Sequence, residues 1–133
     1  MLRVVAALTA LAVLGAATTA GPARAATDQE QIRAVLEDMN DSYNRFDFDG
    51  FAEYVCAAMR LADGYEAGWY SSRRVDGPTR ITVGSIAVTG EPASSAVANV
   101  RFEAAHHTET LAVDFVREDA RWKACRYHPV RTI

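Results

Sequence analysis

The 133-residue chain predicts an α+β domain, with N-terminal helices packed on a curved four-stranded antiparallel sheet. Three observations carry the prediction. Apolar residues recur at three- and four-residue spacing in the first half of the chain. After Pro78 the pattern changes to alternation rich in β-branched residues. The alternating runs are joined by links far shorter than the crossovers a parallel sheet needs.

The chain opens with "MLRVVAALTALAVLGAATTAGPARAA". Arg3 supplies a positive start, Val4 to Leu14 form an uncharged apolar run, and Ala23-Arg24-Ala25 sets small residues around a variable one. That layout predicts a secretory signal peptide over 1–25 and a secreted domain over 26–133. The strongly apolar run falls short of the roughly 20 residues that a bilayer-spanning helix needs. No cysteine stands at the cleavage position for lipidation, so no membrane attachment is expected after cleavage. Of 14 basic residues, Arg3 and Arg24 leave with the leader; the remaining 12 against 17 acidic residues give a formal charge of −5. This charge opposes non-specific binding to nucleic acid or anionic lipid. Lys123 is the only lysine, a bias that fits an alanine-rich, GC-rich coding origin.

"TDQEQIRAVLEDMNDSYNRF" reads as the first helix, with Ile32, Val35, Leu36, Met39, Tyr43 and Phe46 along one face. Thr27 and Glu30 have capping-box spacing, and Asp28 suits the positive helix start. A second helix is expected after Asp47 or Asp49, through "GFAEYVCAAM", with Cys56 near its end. The segment 61–78 holds three glycines and a proline, which predicts broken structure with one short helical turn.

"TRITVGSIAVTG" begins the sheet and stops at the turn signal Gly90-Glu91-Pro92. "SAVANVRFEA", "TLAVDFVRE" and "RWKACRY" follow, separated by a turn around His106 to Glu109 and by the two-residue link Asp119-Ala120. A two-residue hairpin there sets Cys125 on the face of Asp114 and Lys123, opposite Phe115 and Trp122. Either the sheet is apolar on both faces, or a bulge shifts the register.

Cys56 and Cys125 are the only cysteines and lie 69 positions apart. Outside the cytoplasm such a pair can oxidise and remain so, and the alternative is two buried thiols. Two distant cysteines are too few ligands for a metal, and no metal or cofactor is expected.

The stretch "SYNRFDFDGFAEYV" resembles the NTF2-like superfamily, which includes SnoaL-like cyclases and ketosteroid isomerases. Tyr43, Asn44 and Asp47, followed by a second helix, stand where such proteins carry an aromatic, Asn, two residues and Asp. "EDARWKAC" is similar to the family's last strand. The resemblance spans roughly residues 28 to 128. It implies a cone-shaped, cystatin-like domain with a pocket between helices and sheet. Secreted actinobacterial members often join the second helix to the last strand by a disulfide, which implies a Cys56–Cys125 bond.

Fold does not fix function, because this one hosts enzymes, carriers and adaptors. Ketosteroid isomerases donate a hydrogen bond from a first-helix tyrosine, and an ungapped count from Asn44 places Met39 there. A thioether cannot donate. The same count brings Asp63 to the general-base position. Asp114, between Val113 and Phe115, is either a solvent-face acid, paired with Lys123, or a pocket group. His106 and His107, with Glu109 and His128, are the other acid–base candidates. Tyr65 and Tyr70 add to the aromatics available to a pocket mouth. The expectation is an exported, non-catalytic binding protein. It holds a small apolar ligand in the cone, against Met39, Tyr43, Tyr54, Trp69 and Asp114, or a protein partner on the sheet face. A homodimer through that face is the natural self-association. The alternative is an isomerase, cyclase or dehydratase using Asp63 or Asp114 as base, with His106 as a further candidate.

Overall fold

Thr27 starts the first helix by accepting a hydrogen bond from Glu30 N through its hydroxyl at 3.1 Å, the cap its spacing predicts. The computed structural model describes residues 25–130, and the predicted leader over 1–25 lies outside them except for Ala25. The described chain runs α1 (Asp28–Asn44), α2 (Phe48–Ala52), α3 (Ala57–Arg60), α4 (Tyr65–Asp76), β1 (Arg80–Thr89), β2 (Ser95–Glu103), β3 (Thr108–Glu118) and β4 (Arg121–Pro129). The strands form one antiparallel sheet in the order β1-β2-β3-β4.

Helix α1 buries Ile32, Leu36 and Met39 against the sheet. It ends at Asn44, so Phe46 does not extend the apolar face as expected. Phe46 sits in the left-handed region and lies exposed over the Arg73 guanidinium, 4.0 Å from ring centroid to Cζ. The expected second helix is broken in two. Asp47 caps α2 through Gly50 N at 3.0 Å, and a Cβ at residue 50 would collide with that carboxylate. The chain then goes extended, because Val55 forms a parallel bridge to Ala124 of β4. Ala124 N donates to Tyr54 O at 2.8 Å, and Cys56 N donates to Ala124 O at 2.9 Å. Backbone pairing with the sheet wins over helical continuation there.

The segment expected to be broken contains a twelve-residue helix, α4. Gly64 enters it in the left-handed conformation and Gly77 ends it with positive φ, so those glycines are punctuation at its two ends. Gly68 lies inside the helix at a cost of only about 1 kcal/mol against alanine.

On the helix-facing side of the sheet, Ala96 stands opposite Phe115, Ala98 opposite Val113, and Val100 opposite Leu111. Opposed residues share a face, so this row forms the sheet half of the core. Two bulges curve the sheet. In β1, Gly84 and Ser85 together oppose Asn99 between the pairs Val83–Val100 and Ile86–Ala98. In β4, Cys125 is the extra residue: Asp114 pairs with Arg126 and Phe115 with Ala124. The bulge reading of the last strand therefore holds, and Asp119 and Ala120 close the β3–β4 hairpin with positive φ, as its two-residue turn requires.

Cys56 and Cys125 form a disulfide with Cα atoms 5.0 Å apart. It joins the start of α3 to the bulge of β4. Glu118, at the end of β3, accepts from Ala57 N with both carboxylate oxygens at 3.2 Å and caps the same short helix.

Candidate functional site

A cavity of about 570 Å³ lies between α1, α3, α4 and the concave face of the sheet, toward the β2–β3 hairpin. The size falls within the range of small-molecule sites. Its walls are chiefly apolar. Leu36 and Met39 come from α1, Trp69 from α4, and Ile81, Phe102 and Leu111 from the sheet.

The wall beside α4 is held by an aromatic cluster. Trp69 meets Tyr43 edge-on at 5.3 Å between centroids and Phe48 at 5.4 Å, and Phe51 lies 5.5 Å away. Arg73, one turn further along α4, is buried and reaches back to the end of α1. Its Nε donates to Tyr43 O at 3.0 Å and its Nη2 to Asn44 O at 3.1 Å. Both carbonyls lie at the end of the helix, where Tyr43 O also accepts from Phe46 N at 3.2 Å, and the negative helix end suits a cation. The contact fixes α4 against α1 and so fixes one wall of the cavity.

Most polar groups of the lining satisfy one another. Asn40 Nδ2 donates to Thr79 O at 3.2 Å, and the Thr79 hydroxyl returns a bond to Asn40 Oδ1 at 2.7 Å. Tyr43 Oη and Ser72 Oγ lie 3.0 Å apart, and Ser72 donates to Asp76 Oδ2 at 3.3 Å. At the mouth, His107 Nε2 and Glu109 Oε2 are 3.1 Å apart. Two phenols behave differently. Burial pushes the Tyr65 hydroxyl up to about 12, with no hydrogen bond contributing. Burial raises Tyr127 further, with the neighbouring Tyr65 adding to the effect. Both line the cavity, and both remain neutral donors throughout the physiological range.

Tyr127 owes its direction to Cys125. Ala124 pairs with Phe115 and Tyr127 with Val113, two residues of β3 on the concave face. An unbulged strand would set Ala124 and Tyr127, three residues apart, on opposite faces. The extra residue lets both point inward.

Of the residues singled out by sequence, Met39, Tyr43, Trp69, Tyr65, Asp63, His107 and Glu109 line the cavity. Asp63 is exposed at its edge, next to Gly64. Tyr54 and Asp114 are not part of the lining. Tyr54 donates to Asp38 Oδ2 at 3.0 Å. Asp114 is on the outer face of the sheet, diagonal to His128, whose Nε2 lies 3.0 Å from its Oδ1. Its partner is thus His128 and not Lys123, which donates to Glu53 O. His106 borders a shallow recess beside the mouth with Val75 and Asp76. Sequence reasoning missed Tyr127 and Phe102. A register computed without the bulge turns Tyr127 away from the helices.

Among the described residues, no cluster of three or more His, Cys, Asp or Glu side chains could hold a metal ion. No helix among them is long and apolar enough to cross a membrane.

No family model matches the chain, and no curated protein matches it. Solved structures do. One is a crystal structure of an NTF-2-like protein of unknown function from Shewanella oneidensis, 16% identical, with a TM-score of 0.56 over 77% of this chain and 98% of that one. Another is the solution structure of a SEC-C motif containing protein from Rhodopseudomonas palustris, 17% identical, with a TM-score of 0.60 over 74% and 77% of the two chains. Four helices against a curved antiparallel sheet, the cavity between them and these likenesses together give the chain the NTF2-like fold.

Proposed function

We propose that this is an exported binding protein that holds a small, largely apolar molecule in the cone. The observation that carries the reading is the cavity of about 570 Å³ between helices and sheet, walled by Leu36, Met39, Trp69, Ile81, Phe102 and Leu111. An apolar molecule gains free energy there by leaving water, in proportion to the area it buries. The disulfide supports an oxidising compartment, in keeping with the leader-like first 25 residues. A protein partner or a second copy on the outer sheet face has less in its favour. That face carries the Asp114–His128 and Arg101–Glu103 pairs, and Val97 is its exposed large apolar residue.

The test uses N-phenyl-1-naphthylamine, an uncharged probe that fluoresces in apolar surroundings. Saturable one-to-one binding, abolished by Gly68→Trp, is expected. Gly68 lines the cavity and a Cβ built on it meets no atom within 4 Å, so the indole enters open space without disturbing the core. Equal binding by the variant overturns the reading.

A second reading is an isomerase-, cyclase- or dehydratase-type enzyme, favoured by one observation. Asp63 shares the cavity with the Tyr65 and Tyr127 phenols, a base and two donors around one space. Deuterium exchange next to the carbonyl of a bound ketone, lost in Asp63→Asn, decides for the enzyme. Binding without exchange decides for the carrier.

A further inference from the structure

The polar groups of the cavity fall into two sets, those already spent on one another and those left for a ligand. Asn40 and Thr79 bond reciprocally, which spends the Thr79 hydroxyl proton and one of the two Asn40 amide protons. In the second set of bonds the direction of each proton follows from the end of the chain. A carboxylate can only accept, so the Ser72 proton goes to Asp76. Ser72 then has no proton for Tyr43, and the Tyr43 proton goes to Ser72. His107 is similarly engaged with Glu109. The Trp69 Nε1–H has no partner but is itself fully buried. Beside the second Asn40 amide proton, what remains for a ligand is the phenol pair, Tyr65 at the start of α4 and Tyr127 on β4.

The charges are equally one-sided. Asp63, Asp76 and Glu109 line the cavity, and no lysine or arginine does. His107, the one basic group of the lining, already faces Glu109. An anion entering here would lose its hydration and meet three carboxylates with no free cation to compensate.

We propose that the cavity selects uncharged ligands that carry a hydrogen-bond acceptor of the carbonyl or ether type, held by the hydroxyls of Tyr127 and Tyr65, and that it rejects carboxylates and phosphates. The inference rests on the cavity being the ligand site. It adds the chemical class: neutral ketones, esters, lactones or ethers on an apolar skeleton, and not fatty acids or phospholipids. Desolvation keeps both phenols protonated even in mildly alkaline solution, so the donors stay in place.

The experiment displaces N-phenyl-1-naphthylamine from the full disulfide-bonded domain with three matched compounds: naphthalene, 2-acetylnaphthalene and 2-naphthoate. The ketone is expected to bind about tenfold tighter than the hydrocarbon, the worth of one buried hydrogen bond, and the carboxylate at least tenfold more weakly than the ketone. Tyr127→Phe should remove most of the ketone's advantage while leaving naphthalene affinity unchanged, which shows that the variant cavity is intact. Naphthoate binding as tightly as the ketone overturns the proposal while leaving the cavity reading standing. So does a ketone advantage that survives in both Tyr127→Phe and Tyr65→Phe. Failure of the probe and all three compounds to bind overturns the cavity reading itself, and the proposal with it.

Discussion

Cys125 sits opposite no residue of β3, and Tyr127, two residues on, consequently faces the cavity and not the outer surface. The bulge residue is also the one tied to Cys56. One covalent bond therefore secures both the docking of α3 on the sheet and the register that aims a phenol into the cone. The Val55–Ala124 bridge and the Glu118 cap on Ala57 act at the same corner.

Loss of the disulfide should be costly. Closing a loop between residues 69 positions apart constrains the unfolded chain by about 4 kcal/mol. A Cys56→Ala, Cys125→Ala variant is expected to lose roughly that much in a urea titration, and the wild-type protein should lose it when reductant is added. A loss below 1 kcal/mol would mean that the corner is held by its backbone bonds alone.

The first helix is fastened at its start by Asp28. Its Oδ1 accepts from Trp122 Nε1 at 3.1 Å and from Arg117 Nη2, and the Arg117 guanidinium lies 4.5 Å above the Trp122 ring. Asp28→Ala strands a part-buried indole N–H and a cation together, so a loss of about 1–3 kcal/mol is expected. Asp28→Asn, which still offers an acceptor, should recover part of it. Denaturant midpoints of the two variants check both statements.

Arg73 should resist even conservative change. Two carbonyls and two aromatic rings surround its planar head, with Phe46 at 4.0 Å and Tyr43 at 5.8 Å. Lysine can reach one carbonyl but cannot fork to both or stack. Arg73→Lys is expected to cost about 1–2 kcal/mol and Arg73→Ala more, read by thermal unfolding.

Alkaline stability follows from the two buried phenols. Their folded-state values stand above the ordinary 10.0, Tyr65 at about 12 and Tyr127 higher still. Above pH 10 the unfolded chain ionises these groups while the folded chain keeps them protonated. Stability is thus full below pH 10 and falls as pH rises toward 12. The slope is at most about 1.4 kcal/mol per pH unit for each phenol, and smaller for Tyr65, part of whose ring meets solvent. Tyr127→Phe should flatten the slope between pH 10 and 11.5, whereas Tyr54→Phe, at a far less buried position, should alter it little.

Periodicity was enough to read α1, the four strands and their antiparallel order, because those elements bury one regular face each. It failed where glycine or tertiary pairing took over. The glycines of 61–78 look like breaks in sequence, yet Gly64 and Gly77 bound a helix and only Gly68 lies within it. The "GFAEYVCAAM" segment has helical spacing, and a bridge to a strand nearly 70 residues later splits it. Part of the cavity wall was visible in the apolar stripe that holds Met39 and Tyr43, and Trp69 was visible as an aromatic of the segment expected to be broken. Tyr127 was hidden by a single extra residue in β4, since a one-residue shift exchanges the faces of every side chain beyond it. Tyr127 changed faces for that reason, whereas Asp114 lies on β3, where alternation with Val113 and Phe115 sets it on the outer face.

The central claim is that the cone holds a small neutral molecule, and native mass spectrometry tests it most directly. The protein is purified from an exporting host without reductant, alongside Gly68→Trp. The account predicts a chain beginning at Ala26, two hydrogens short, with an added small-molecule mass that is absent from the variant. A bare wild-type chain, or an added mass that Gly68→Trp retains, would contradict it.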